Sequence, residues 1–153
     1  RSDIFSDTKF NGLVIALDSI NDPGNLGTII RNADWFGIKN IICSKNTVDF
    51  YNPKTIQSSM GSFTRVNIFY DDLSKIFDRS PLKIYGTSSE IKDSIDPKTI
   101  KEGIILFGSE ANGVREDLKK HIHSWISIKG NGKAESLNVS VSSGIILDNI
   151  MNN

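Results

Sequence analysis

The stretch Ser136-Leu137-Asn138-Val139-Ser140-Val141-Ser142-Ser143-Gly144 sets a hydroxyl or an amide at every second position from 136 to 142. It then runs straight into Ile145-Ile146-Leu147, the buried part expected of a terminal helix. Ser and Asn compete with the backbone for hydrogen bonds, so the run is poor helix and poor core, and its polar groups call for another use. Two earlier stretches also collect polar chemistry. Asn25-Leu26-Gly27-Thr28-Ile29-Ile30-Arg31 carries an amide and, six residues later, a guanidinium, and Leu106-Phe107-Gly108-Ser109-Glu110-Ala111-Asn112-Gly113 holds a carboxylate between glycines. The usual signatures of nucleotide, metal and hydrolytic sites fail. No G-x-G-x-x-G follows the first apolar run, Gly130-Asn131-Gly132-Lys133 lacks the spacing and the Ser/Thr of a P-loop, and no G-x-S-x-G elbow occurs. His121 and His123 have no Cys or carboxylate cluster to complete a metal site and read as surface histidines beside Lys119 and Lys120.

These residues need a scaffold, and the hydrophobic pattern supplies one. Strands are expected at Leu13 to Leu17, Ile41-Ile42, Val66 to Tyr70, Lys83 to Thr87, Gly103 to Phe107 and Trp125 to Ile128. Leu26, Ile29, Ile30, Ala33 and Phe36 recur at helical spacing, with Asn25 as the expected cap, Arg31 on the flank and Gly37 as the stop. Asn52-Pro53 opens a helix that Met60-Gly61-Ser62 breaks, Asp71 or Asp72 caps one through Leu73, Ile76 and Phe77, and Val114 to His121 could form a short one. Ser136 is the natural cap of the last. Strands alternating with helices predict an α/β domain with a mostly parallel, six-stranded sheet flanked by helices. Such sheets bind ligands beyond the carboxyl ends of their strands, where the loops after Tyr85, Phe107 and Ile128 emerge.

Composition narrows the class. The 153 residues, 38% hydrophobic and 24% charged, suit one domain with a real core, read as an entry segment over residues 1–11 and a catalytic domain over 12–153. The zero net charge argues against a surface that attracts nucleic acid everywhere, while leaving a local basic patch open. Lys54, Arg65, Lys119, Lys120 and Lys133 read first as solubilising charge. No apolar run approaches a membrane span. The single Cys43, inside an apolar strand pattern, reads as a buried filler and fits a reducing, cytoplasmic setting. The chain opens on Arg1 rather than Met, which leaves room for an upstream RNA-binding domain.

Taken together and in order, the three polar stretches resemble the three motifs of the SpoU (TrmH) family of RNA ribose methyltransferases, and the resemblance runs from Gly12 nearly to the end. It implies a SPOUT fold whose C-terminal part is tied in a trefoil knot, S-adenosylmethionine bound at the knot, and methyl transfer to a ribose 2′-hydroxyl of tRNA or rRNA by a homodimer that needs no metal. It assigns Arg31, Asn25, Glu110, Ser136 and Asn138 to catalysis and Thr87, Gly108, Gly113, Ile128 and Leu137 to the cofactor, with Ser140 beside the reacting ribose. A guanidinium hardly loses its proton, so Arg31 fits phosphate binding and alkoxide stabilisation better than general-base duty. Ile128 is followed by Lys129 where many members have Pro, and Ala111-Asn112 replaces a frequent Gly; neither removes a proposed catalytic group. A noncatalytic RNA-binding module of the same fold is the competing expectation. A generic α/β nucleotide-binding enzyme is disfavoured by the missing phosphate loops.

Overall fold

The computed structural model of the chain describes residues 10–152. The entry segment lies outside them except for its last two residues, and one of these, Phe10, is not a polar lead-in. It is buried in the core, its ring edge-on to Phe69 at 5.8 Å.

The elements in chain order are β1 (Leu13–Leu17), α1 (Pro23–Trp35), β2 (Asn40–Ser44), α2 (Pro53–Ser59), β3 (Asn67–Asp71), α3 (Leu73–Arg79), β4 (Ile84–Thr87), β5 (Gly103–Phe107), α4 (Glu116–Lys119), β6 (Ser124–Ile126) and α5 (Val139–Met151). Single 3-10 turns form at Ser62–Thr64 and Pro97–Thr99. The strands make one six-stranded sheet in the order β3-β2-β1-β5-β4-β6, and every pairing is parallel. Parallel strands bury both faces under helices, which is why β1 and β5 read as unbroken apolar runs. Alternation along β1 divides the core. Ile15 and Leu17 join Leu26, Ile29, Ile30, Ala33, Ile146, Leu147 and Ile150 from α1 and α5 on one side. Val14 and Ala16 join Leu73, Ile76, Phe77 and Leu118 from α3 and α4 on the other.

Several boundaries differ from expectation, each for a local reason. Asp22, not Asn25, caps α1: its carboxylate accepts from the Asn25 amide at 3.0 Å, and Pro23 takes the first turn, where its missing N–H goes unused. Asn138, not Ser136, caps α5. Of the two caps offered for α3, Asp72 is the one used, its carboxylate accepting from the Ser74 and Lys75 amides. The helix expected from Val114 is confined to α4, because Arg115 is still extended. β3 and β6 lie at the sheet edges, where partial exposure weakens the pattern that would mark their ends, and β6 stops at Ile126. Met60 and Gly61 both have left-handed φ, 51° and 84°, which ends α2 where the break was expected.

Cys43 is buried as read, and burial pushes its thiol up to about 12. His121 corrects the surface reading. Its side chain is only 10% exposed, packs edge-on to Phe77 and lies 3.2 Å from the Ser74 hydroxyl. His123 is exposed, yet its Nδ1 accepts the Ile84 N–H at 3.0 Å.

Candidate active site

Because all six strands run the same way, their carboxyl ends share one side of the sheet. The loops after β4, β5 and β6 and the start of α1 leave from that side. β1 connects outward to β2 and β3, while its other neighbour β5 belongs to the β4-β5-β6 half, so the order reverses between β1 and β5. That reversal is where open α/β sheets keep their ligand crevice.

The three polar stretches meet there. With Asp22 as cap, Asn25 stands inside the first turn of α1 and its side chain is free to reach outward. Its Nδ2 donates to Glu110 Oε1, and its Oδ1 accepts from Asn138 Nδ2 at 3.0 Å. Asn138 in turn uses Oδ1 to cap α5, accepting from the amides of Ser140 at 2.9 Å and Val141 at 3.3 Å and from the Ser140 hydroxyl at 2.5 Å. The direction of this chain is fixed at both ends. A carboxylate only accepts, so the Asn25 amino group must face Glu110 and its carbonyl must face Asn138. Backbone N–H groups only donate, so the Asn138 carbonyl must face α5. Residues 85 and 113 positions apart in sequence are thereby held in a single order.

The α5 start is held a second way, by a residue that motif reading missed. Asn32 of α1, next to Arg31, donates from Nδ2 to the Ser140 carbonyl at 3.0 Å and to the fully buried Ser143 hydroxyl at 2.9 Å. A Cβ on Gly144 would meet Asn32 at an ordinary contact distance of 3.5 Å, so it is the Asn32 hydrogen bonds to Ser140 and Ser143 that tie α5 to α1. The helix neighbours of Asn32, which are Thr28, Ile29, Trp35 and Phe36, are mixed in polarity, so nothing around it in the sequence marked it.

Arg31 is exposed on α1, about 9 Å along the axis from Asn25 at 1.5 Å per residue. No described residue forms a hydrogen bond or ion pair with it. Ser136 is likewise exposed and outside the Glu110–Asn25–Asn138 chain.

The expected cofactor residues divide. Gly108 is required by the loop's own backbone, since a Cβ there would lie 2.1 Å from the Gly113 carbonyl carbon. Gly113 has φ +65° and closes the loop by exchanging two hydrogen bonds with Ser109 at 3.1 and 2.9 Å. The Thr87 hydroxyl donates to the Leu106 carbonyl at 3.0 Å and so ties β4 to β5. Ile128 is part-buried against the core, while Leu137 stays 48% exposed at the end of an irregular, exposed segment, residues 129–138. The loops after β5 and β6 offer open backbone beside the apolar side chains of Ile128 and Leu137. Gly113, Gly130 and Gly132 each face open space where a Cβ would sit. That donor set fits the neutral adenosine part of S-adenosylmethionine.

A second unexpected group completes the crevice. Asp18, directly after β1, is fully buried, and its carboxylate accepts from the Arg115 amide at 2.9 Å and from Arg115 Nε at 2.8 Å. A lone carboxylate closing an apolar strand was its signal. Its partner, 97 positions away, had none.

Residues 12–148 match the SpoU rRNA Methylase family. The chain is 32% identical to a Bacillus subtilis 23S rRNA (guanosine(2553)-2′-O)-methyltransferase over 88% of its own length and 56% of that protein's. It is also 32% identical to the mitochondrial rRNA methyltransferase 1 of Schizosaccharomyces pombe, over 96% of this chain and 54% of that one. Among solved structures, an AdoMet-bound rRNA methyltransferase from Sinorhizobium meliloti superposes with a TM-score of 0.83 at 31% identity, covering 92% of this chain and 56% of that one. The chain spans about half the length of these relatives. With the ordered side-chain relay and the six-stranded parallel sheet in place, this protein belongs to the SpoU rRNA methylase family.

Proposed function

We propose that this chain is the donor-binding and catalytic domain of an RNA ribose 2′-O-methyltransferase acting on rRNA or tRNA. The observation that carries this reading is the directional chain Glu110–Asn25–Asn138–Ser140, which joins all three motifs at the switch point of the sheet. S-adenosylmethionine supplies a methyl group on a sulfonium sulfur. Its adenosine part would lie among the loops after β4, β5 and β6, held by backbone groups near Gly108 and Gly113 and by the apolar surfaces of Ile128 and Leu137. Thr87 stands at the margin, its hydroxyl already engaged.

A neutral ribose hydroxyl is a weak nucleophile at pH 7. It must be aligned with the methyl–sulfur bond, and the negative charge that grows on its oxygen must be stabilised. Arg31 supplies a permanent cation with an unengaged fork of donors. It holds an RNA phosphate and stabilises the forming alkoxide, while a phosphate oxygen accepts the proton. Asn25 and Asn138, locked by Glu110, present oriented amide groups to the ribose. Ser136 and Ser140 line the same end of α5.

The domain acts as a homodimer in the cytoplasm, where one protomer's Arg31 faces the partner's donor pocket. Exposed Val141 and Ile145 on α5, with Leu137 just before it, support an apolar contact face. The knotted closure of the C-terminal segment and an upstream RNA-binding domain belong to the same proposal.

The test is methyl transfer from tritiated S-adenosylmethionine to total RNA from cells lacking the protein. Arg31→Lys keeps the charge but loses the fork, and its rate should fall by about 10²-fold with donor affinity unchanged. A full-rate Arg31→Lys variant would remove Arg31 from the mechanism. A wild-type chain that binds RNA but no S-adenosylmethionine would instead be a noncatalytic RNA-binding module.

A further inference from the structure

We propose that Asp18 and Arg115 form a clamp that fixes residues 108–115 against β1, making Arg115 a positioning residue for the methyl donor. This rests on the reading of that loop as part of the donor pocket. Both ends of the loop are tied to the same residue. At its start, the Asp18 amide donates to the Phe107 carbonyl at 2.9 Å, extending the β1–β5 ladder by one step. At its end, the two oxygens of the Asp18 carboxylate are divided. Oδ2 accepts the Arg115 amide at 2.9 Å, and Oδ1 accepts Arg115 Nε at 2.8 Å together with the Ser19 hydroxyl at 3.1 Å.

Between these anchors the loop has little freedom. Ser109 and Gly113 exchange backbone hydrogen bonds, and Gly108 lies so close to the Gly113–Val114 backbone that not even a methyl group fits. Glu110 sits inside the closed segment. The clamp therefore sets two things at once, the backbone that would line the donor pocket and the carboxylate that orients Asn25.

The strand end carries a backbone cost of the kind found at sites that must hold a geometry. Ser19 adopts a left-handed φ of 59°, unfavourable for a residue with a Cβ. It is held there from two sides, its amide donating to Ser44 Oγ at 2.8 Å and its own Oγ accepting from Asn46 Nδ2 at 2.8 Å. A fully buried carboxylate is a poor way to gain stability alone, because well-packed apolar residues of similar size often do as well. What it adds is direction: two fixed oxygens accept two donors from one residue. Arg115 is 42% exposed on its side chain, and beyond the clamp its Nε makes only a long, exposed ion pair with Asp117 at 3.9 Å, so substituting it acts mainly on the clamp.

The test uses the full chain and two readouts. Arg115→Met removes the Nε donor with similar length. Titration calorimetry with S-adenosylmethionine should show affinity weakened about 10-fold, in line with the large effects of small displacements in preorganised sites, and Arg115→Lys should recover part of it. Amide hydrogen exchange in the donor-free wild type should find the Arg115 N–H protected like the β5 amides, and this requires no variant to fold. Unchanged donor affinity in a folded Arg115→Met chain, or an Arg115 amide that exchanges as fast as residues 129–138, overturns the clamp. A wild-type chain that binds no S-adenosylmethionine sinks the reading of the loop as a donor pocket, and this inference with it, whereas the first two results sink this inference alone.

Discussion

Asn138 uses its carbonyl oxygen to cap α5 and its amino group to hold Asn25. The two halves of one amide can therefore be tested apart. Asn138→Ala removes both, and the lost cap alone should lower stability by about 1 kcal/mol. Asn138→Asp keeps an N-cap acceptor, with a charge that the helix N-terminus favours, but cannot donate to Asn25. It also brings a second carboxylate close to the one on Glu110. Thermal unfolding should leave Asn138→Asp near the wild type, while methyl transfer falls by about 10-fold or more, the loss of one oriented donor. Equal activity in wild type and Asn138→Asp would make the relay a folding device only.

The elements explain which parts of this arrangement could be read in advance. β1 and β5 are apolar without interruption because helices cover both faces, so they were plain in the sequence. The edges were not: β3 is nowhere fully buried and β6 has one buried residue, so no pattern marks their ends. The three polar stretches were legible as stretches, but the caps were misassigned. Asp22-Pro23 is the stronger start signal for α1, and it frees Asn25 for the site. Asn32 and Arg115 stayed hidden because each acquires meaning only through a partner about 100 positions away, whereas Asp18 had a signal that went unused. Another such partnership is testable at this scale. Asp34 of α1 accepts on one oxygen from Arg65 Nε at 2.9 Å, Arg65 Nη2 at 2.7 Å and Ser62 Oγ at 2.8 Å, pinning the turn after α2. The Arg65 guanidinium, helped by the Ser62 hydroxyl, holds the Asp34 carboxyl below the usual range. A lowered folded-state value means the contribution is full above the unfolded carboxyl's pKa of about 3.9 and is lost as pH falls through the folded one. The melting-temperature gap between wild type and Asp34→Asn should therefore stay constant from neutral pH down to about 5 and close below about 4. A gap that persists at low pH would assign the turn's stability to packing.

At the scale of the whole molecule, α5 divides its apolar residues between two jobs. Ile146, Leu147 and Ile150 are buried in the core, whereas Val141 and Ile145, one turn apart, stay 51% and 37% exposed, with Leu137 at 48% just before the helix. On α1, which Asn32 joins to α5, Trp35 is 83% exposed. Exposed apolar side chains grouped in this way usually mark a contact surface. The proposed homodimer would use one, and Arg31, which bonds no described residue, is exposed and open to a second copy. Val141 is the place to test this, since only its backbone amide touches the relay, at Asn138, and its side chain is already half in solvent. Val141→Asp should leave thermal unfolding nearly unchanged in a monomer, because an exposed substitution typically shifts stability by about 0.5 kcal/mol or less. Placed between two copies, the same carboxylate would be buried without a partner, which interfaces do not tolerate. Light scattering should then report one chain mass for Val141→Asp and twice that for the wild type, and methyl transfer should be lost with the second copy. If the variant remains dimeric, the contact lies on another face. If it is monomeric and fully active, Arg31 and the relay serve the same ribose within one chain.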